Sequence, residues 1–273
     1  MGWKGAGLMK YIKSTSRELR DMFENSISVN TISEKLLWCS PKDDALEVRK
    51  RMDEADFDVF GVFENNQVSR YVEKTNLGAG YCKAYQKTFY PSQLIANSTP
   101  LIDILPIMKE NSWLLVLEKN HVTSIVTRAD LQKAPVRMLL FGLTTLLESN
   151  MQRIIESFYK SDAWQRFLRW DRLEGAQKIF VKRQKRNEAI SLLDCTQFCD
   201  KIFLVARSTE LCKKLEILDT RSKQRLGAIE NLRNRIAHAQ DIVTGSSWEE
   251  VIDLTEFISL LLQRCEGIKS FRK

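Results

Sequence analysis

The chain has 273 residues, 44% of them hydrophobic, and a formal net charge of +7 at pH 7. This length suits one large or two ordinary domains, and the low Gly and Pro content (11 and 5 residues) excludes a mainly disordered chain. The charge is uneven, because residues 1–135 hold 18 basic and 17 acidic residues whereas residues 136–273 hold 24 and 18. The basic excess of the second half favours a partner that carries phosphate.

The cysteine spacing and the hydropathy pattern predict a cytoplasmic protein with no bound metal and no membrane span. None of the six cysteines forms a Cys-x-x-Cys pair, so we expect reduced thiols and no zinc site. The longest apolar run, residues 138–147, is bounded by Arg137 and Glu148 and is too short to cross a bilayer.

Residues 16–24 predict a short charged helix, and an internal repeat follows it up to about residue 134. The first copy predicts a helix at 44–52 and strands at 59–63 and 68–72. The second predicts a helix at 101–108 and strands at 113–117 and 122–126. Polar turns, residues 64–67 and 118–121, separate the two strands of each copy. Two units this short predict one α/β domain with a shared core, residues 1–135.

The second copy ends in Thr127-Arg-Ala-Asp130, whereas the first departs from this pattern and reads Val72-Glu-Lys-Thr-Asn-Leu77. The repeat resembles a tandem pair of cystathionine-β-synthase-type (CBS) domains, a Bateman-type module. This resemblance implies a regulatory adenine nucleotide (ATP, ADP or AMP), with Thr127 at its phosphate and Asp130 at its ribose. The alternative is that Thr127 and Asp130 only cap the helix that follows them.

Beyond Pro135, which marks the predicted domain boundary, the pattern is helical almost throughout. We predict helices at residues 136–159, 162–174, 175–187, 188–208, 221–243 and 248–267. Ser247 and Glu250 have the spacing of a capping box for the last helix. The basic segment 182–186, with aromatic residues upstream, suits single-stranded RNA or a solvated face. Residues 136–273 therefore predict an all-α domain.

The helix predicted at 221–243 contains one of only two histidines in the chain. At about 100° per residue, Glu230, Asn234, His238 and Asp241 fall in one stripe, with Arg233 beside it. An imidazole can move protons and a guanidinium can hold phosphate charge, so this stripe is a candidate catalytic site for a phosphodiester. The alternative is the solvated face of an amphipathic helix.

The string Arg233-Asn-Arg-Ile-Ala-His238 resembles the Arg-Asn-x-x-x-His motif of the HEPN superfamily, all-helical domains found in many ribonucleases and toxins. The resemblance extends over roughly residues 140–270. It implies a metal-independent endoribonuclease that leaves 2′,3′-cyclic phosphate ends, with Arg233, Asn234 and His238 catalytic and with Glu230 and Asp241 in support.

The two resemblances together predict a nucleotide-regulated enzyme with RNA as its substrate. They also imply a homodimer and a role as a toxin or as a phage-defence or stress-response effector, with an antitoxin as a further partner. The rival prediction is a non-catalytic dimer of the same fold that binds RNA or nucleotide and uses the CBS pair as its sensing module.

Overall fold

A computed structural model describes residues 16–268 of the chain. Of these, residues 22–138 form one compact unit, and residues 139–268 form another together with residues 16–21. The division falls inside the helix Ala134–Phe158. Pro135 lies in the first turn of this helix, where a missing N–H removes no intrahelical hydrogen bond.

The α/β unit repeats one β-α-β-β motif. The sequence predicts the helix and the last two strands of each copy but not its short first strand. After helix α1 (Ser16–Ser26) and strand β1 (Glu34–Lys35), the first copy consists of β2 (Trp38–Cys39), α2 (Ala45–Ala55), β3 (Val59–Glu64) and β4 (Gln67–Glu73). The second copy consists of β5 (Leu94–Ala96), α3 (Leu101–Glu110), β6 (Trp113–Glu118) and β7 (His121–Thr127). In each copy the first two strands pair parallel and the last two antiparallel. The resulting sheets have the orders β2-β3-β4 and β1-β7-β6-β5.

Both antiparallel hairpins turn on two residues with positive φ. Asn65 and Asn66 have φ values of 54° and 62°, and Lys119 and Asn120 have values of 47° and 69°. Two-residue turns of this kind match the right-handed twist of the flanking strands. A register shift precedes the turn at the equivalent place in each hairpin, between residues 62 and 63 and between residues 116 and 117. The strands and turns predicted for both copies are therefore confirmed.

Side chains from both copies meet in one apolar cluster. Val59 and Tyr71 of the first copy pack there with Leu115 and Ile125 of the second. A separate cluster beneath α2 includes Val48 and other buried residues of the first copy. The shared core that the repeat predicts is present.

The second unit contains α4 (Ala134–Phe158) from residue 139 on, α5 (Trp170–Gln184), α6 (Phe198–Arg207), α7 (Thr209–Lys214), α8 (Thr220–Ala237) and α9 (Trp248–Gly267). The capping box of α9 is confirmed, since Ser247 accepts a hydrogen bond from the Glu250 backbone N–H at 3.2 Å.

Four of the predicted helix boundaries are wrong. The helix predicted at 162–174 begins only at Trp170, because residues 160–167 form a 3₁₀ helix. Helix α5 runs through Gly175, because a single glycine weakens a helix without ending it. Residues 188–197 are not an α-helix, and α6 begins only at Phe198, where Gln197 and Asp200 form a capping box. Helix α8 ends at Ala237 instead of Val243.

Gly61 of β3 lies where the side chains of the α/β unit are tightly packed. A Cβ added at Gly61 would lie 2.8 Å from Val68 Cγ1 and 3.0 Å from Leu36 Cδ2. We expect Gly61→Ala to lower the free energy of unfolding by about 1–3 kcal/mol, because the neighbouring side chains must shift. Urea unfolding measures this change.

Gly175→Ala is the matched control, since no atom of residues 16–268 lies within 4 Å of a Cβ added there. Gly175 lies inside helix α5, where alanine is more favourable than glycine. Gly175→Ala should therefore raise the free energy of unfolding by about 0.5–1 kcal/mol. A Gly61→Ala variant as stable as the wild type would show that β3 accommodates the methyl group without strain.

Candidate active site

The candidate site lies at the C-terminal end of α8. The helix starts at a cap in which Asp219 accepts a hydrogen bond from the Ser222 N–H at 2.8 Å. Ile229 and Leu232 are fully buried, and Ile236 is nearly so. One face of α8 therefore packs into the core, and its polar residues occupy the remaining faces.

A left-handed residue ends α8 before the predicted end at Val243. His238 is the C-cap residue, and Ala239 after it has a φ of 54°. The N–H of Gln240 donates to the Arg235 carbonyl at 2.9 Å, and that of Ala239 to the Ile236 carbonyl at 3.2 Å. These two hydrogen bonds form a Schellman cap. The position usually carries glycine, so an alanine there is no recognisable stop signal.

The early end of α8 removes Asp241 from the predicted stripe. Asp241 lies in the loop after the helix, where it accepts a hydrogen bond from the Val243 N–H at 2.8 Å. The helical alignment predicted for Asp241 with Glu230, Asn234 and His238 is therefore wrong. The His238 side chain is exposed at the helix end.

Arg233 and Asn234 contact each other directly. Arg233 Nη1 donates to Asn234 Oδ1 at 3.2 Å, and Arg233 Nη2 lies 3.9 Å from Glu148 Oε2 of α4. The Arg233 side chain keeps 36% of its surface exposed. The guanidinium is thus oriented by two partners while it still reaches solvent.

Glu148 also neutralises a buried lysine that the sequence pattern did not predict. Lys201 of α6 is only 2% exposed, and its ammonium donates to Glu148 Oε1 at 2.8 Å and to the Thr196 carbonyl at 3.0 Å. A buried ammonium is stable only with such partners. Lys201 lies three residues before Leu204 and three after Phe198, both buried, so a lysine at a core position of α6 was the available signal.

Glu230 faces α6 and contributes to a second polar cluster there. Burial raises the pKa of the Cys199 thiol, and the negative charges of Glu230 and Asp200 raise it further. Arg172 of α5 donates to Asp200 Oδ1 at 2.9 Å, and this hydrogen bond raises the pKa of the guanidinium. The thiolate is the nucleophilic form of cysteine, so these effects disfavour a nucleophilic role for Cys199.

Within residues 16–268, no group of three or more His, Cys, Asp or Glu side chains is placed to hold a metal ion. In the same part of the chain, no helix is long and apolar enough to cross a membrane.

Thr127 and Asp130 form the capping pair of the short 3₁₀ helix Arg128–Gln132. Asp130 Oδ2 accepts hydrogen bonds from the Thr127 N–H at 2.7 Å and from the Thr127 hydroxyl at 3.0 Å. Asp130 Oδ1 lies 2.6 Å from the Lys133 ammonium, and the Asp130 side chain is 8% exposed. Both carboxylate oxygens thus have partners, so a ribose diol must share or replace Lys133 to reach Asp130.

No protein-family profile and no curated protein matches the chain. Solved structures similar to about 40% of it include CBS-domain proteins. A CBS-domain-containing protein from Bacillus anthracis is 10% identical over 43% of this chain and 98% of its own, with a TM-score of 0.37.

Two further structures have similar scores. CBSX2 in complex with AMP is 13% identical over 41% of this chain and 97% of its own, with a TM-score of 0.36. An uncharacterized conserved protein from Pyrococcus horikoshii is 20% identical over 40% of this chain and 91% of its own, with a TM-score of 0.36. Likeness at this level assigns no ligand or activity to the chain.

The left-handed turn at Ala239 predicts opposite effects for two glycine substitutions. Ala239→Gly should raise the free energy of unfolding by about 1 kcal/mol, because glycine adopts this conformation without a Cβ clash. Ala237→Gly, in the last turn of α8, should lower it by up to about 1 kcal/mol. Both positions are exposed, so urea unfolding reports backbone effects alone. A destabilised Ala239→Gly variant would contradict the observed helix end.

Proposed function

We propose that the chain is a HEPN-type endoribonuclease that cleaves RNA without a metal ion and is regulated by an adenine nucleotide. The proposal rests on one observation about Arg233. Its guanidinium is oriented by Asn234 and Glu148, and its side chain is still 36% exposed. A guanidinium that is held in place and accessible is suited to a phosphate group. The Arg-Asn-x-x-x-His order adds an exposed imidazole at the end of the same helix.

The proposed reaction divides proton transfer and charge stabilisation between these side chains. An imidazole of His238 takes the proton of a ribose 2′-hydroxyl while that oxygen attacks the adjacent phosphorus. Arg233 binds the oxygens of the pentacoordinate phosphate, and Asn234 keeps the guanidinium in position. The bond to the 5′-oxygen breaks, this oxygen takes a proton from a second imidazole, and the cut strand keeps a 2′,3′-cyclic phosphate.

A homodimer supplies the second imidazole. Arg233 and His238 point about 140° apart around the axis of α8, so one chain does not present both to the same phosphate. Two copies of the helix end, placed opposite each other, combine Arg233 of one chain with His238 of the other.

The competing proposal is a dimer of the same fold that binds RNA or nucleotide without cleaving it. The Glu148 carboxylate favours it, because a negative charge 3.9 Å from Arg233 already neutralises part of the positive charge that catalysis requires. A binder keeps its RNA intact, so a cleavage assay separates the two functions.

The nuclease proposal predicts RNA cleavage in the presence of EDTA, with 2′,3′-cyclic phosphate ends. His238→Ala and Arg233→Ala should each lower the cleavage rate by about 100-fold or more, because each removes a separate part of transition-state stabilisation. Lys223→Ala, at an exposed position of the same helix, is the control and should cleave like the wild type. Gel analysis of total RNA and end-group analysis of the fragments measure both results.

Two outcomes would contradict this mechanism. Activity that appears only after Mg²⁺ or Mn²⁺ is added would exclude metal-free cleavage. A fully active monomer by light scattering would exclude a site shared between two chains.

We further propose that an adenine nucleotide binds at Thr127 and Asp130, displaces Lys133 from the carboxylate, and changes the cleavage rate. Asp130→Ala should weaken nucleotide binding about ten- to a hundredfold, because a hydrogen bond to a charged group contributes about 1.5–3 kcal/mol. Cleavage without nucleotide should persist. Calorimetry with ATP, AMP and S-adenosylmethionine measures the affinity.

Asp44→Ala is the matched control for the lost helix cap. Asp44 caps α2 in the first copy, where its carboxylate accepts a hydrogen bond from the Leu46 N–H at 2.9 Å. This variant should lose about 0.5–2 kcal/mol of stability and keep its nucleotide affinity. If no nucleotide binds the wild type, Thr127 and Asp130 act only as a cap.

A further inference from the structure

A second polar site lies between α8 and α9. A cavity of about 390 Å³ opens there, and Arg233 does not line it. Its wall on α8 carries three guanidinium groups and two amides, from Arg221, Arg225, Arg235, Gln224 and Asn231. The proposed catalytic mechanism uses none of these side chains.

The three arginines lie along one side of α8, and we call them the arginine stripe. Their helical positions fall within about 80° of one another and extend over about 21 Å of the axis. Arg225 lies over the Phe257 ring of α9, with the guanidinium carbon 4.9 Å from the ring centroid. Stacking of this kind holds a guanidinium flat and leaves its N–H groups available to an acceptor in the plane of the guanidinium.

Arg235 has one satisfied and one unsatisfied side-chain nitrogen. Its Nη1 donates to the Thr244 carbonyl at 3.1 Å. Its Nε is buried and has no hydrogen-bond partner among the residues that the structure describes. A buried charged donor without an acceptor is destabilising, so Arg235 gains a favourable hydrogen bond if its side chain turns this N–H towards an anion in the cavity.

Two acidic residues also line the cavity, but the net charge of its lining remains positive. Glu250 and Asp253 line the α9 side against the three arginines. The Glu250 carboxylate accepts hydrogen bonds from the Ser246 hydroxyl at 2.7 Å and from the Ser247 N–H at 3.3 Å, so it serves the cap of α9. The three guanidinium groups exceed the two carboxylates by one charge, so the lining favours an anionic ligand.

We propose that this cavity binds backbone phosphates of RNA and directs the strand towards His238, an inference that rests on the proposed ribonuclease function. The loop that starts at His238 forms one rim of the cavity through Gly245 and Ser246. A strand on the arginine stripe thus runs along α8 towards the end that carries the imidazole. Binding through phosphates alone provides affinity without sequence preference.

The test measures RNA binding in a His238→Ala background, in which the RNA stays intact. Arg221→Gln combined with Arg235→Gln should raise the Kd for a single-stranded RNA about tenfold or more. The slope of log Kd against log salt should fall by about 0.7 for each phosphate that the variant no longer neutralises. Fluorescence anisotropy at several salt concentrations measures both values.

Two matched variants control for net charge and for folding. Lys213→Gln combined with Lys223→Gln removes two exposed cations that do not line the cavity, and it should leave the Kd and the slope near the parent values. Arg221→Lys combined with Arg235→Lys keeps the charge and should restore most of the slope. Thermal unfolding confirms that each variant is folded.

Several results would overturn the assignment. One is that the parent protein does not bind RNA. Another is that the Kd is unchanged in the variant with Arg221→Gln and Arg235→Gln. A third is that the control with Lys213→Gln and Lys223→Gln loses as much affinity as that variant. Failure of the proposed function produces a different pattern: RNA binds and depends on the arginines, but the protein with His238 intact does not cut it.

Discussion

The burial of one ammonium group constrains the whole candidate site. Lys201 is 2% exposed, and its charge is offset by Glu148 and by the Thr196 carbonyl. An unpaired buried charge is strongly destabilising, so α6 and α4 pack in the register that joins these groups. The second oxygen of Glu148 lies 3.9 Å from Arg233 Nη2, so the carboxylate that neutralises Lys201 also contacts the guanidinium of α8.

Helix α8 divides its surface among three tasks. Ile229 and Leu232 anchor it in the core, Arg233 contacts Asn234 and Glu148, and arginines such as Arg235 line the cavity towards α9. These tasks are compatible because 3.6 residues per turn distribute neighbouring positions around the axis. The left-handed turn at Ala239 then stops the helix, so the imidazole before it lies at a helix end and not on a continuous face.

Local sequence signals made the α/β half predictable. Much of the candidate site depends on tertiary contacts, which the sequence does not show directly. Each hairpin is specified by alternating apolar residues and a two-residue polar turn such as Asn65-Asn66, and its strands lie where the sequence predicts. The position of α8, Arg233 and Asn234 was equally readable. The helix end at Ala239 was not, because alanine carries no turn signal, and the Lys201–Glu148 pair joins residues far apart in sequence. Thr127 and Asp130 stayed ambiguous because a cap and a ribose use the same atoms.

The weak ion pair of Arg233 is what allows this residue to change partners. An ion pair this exposed and 3.9 Å long contributes about 0–1 kcal/mol, whereas charge-assisted hydrogen bonds to a phosphate contribute about 1.5–3 kcal/mol. Arg233 can therefore leave Glu148 for a substrate. The exchange leaves no unpaired buried carboxylate, because Glu148 keeps its 2.8 Å ion pair with Lys201. A tighter bond between Glu148 and Arg233 would hold the guanidinium more firmly but would raise the free energy required to bind the phosphate.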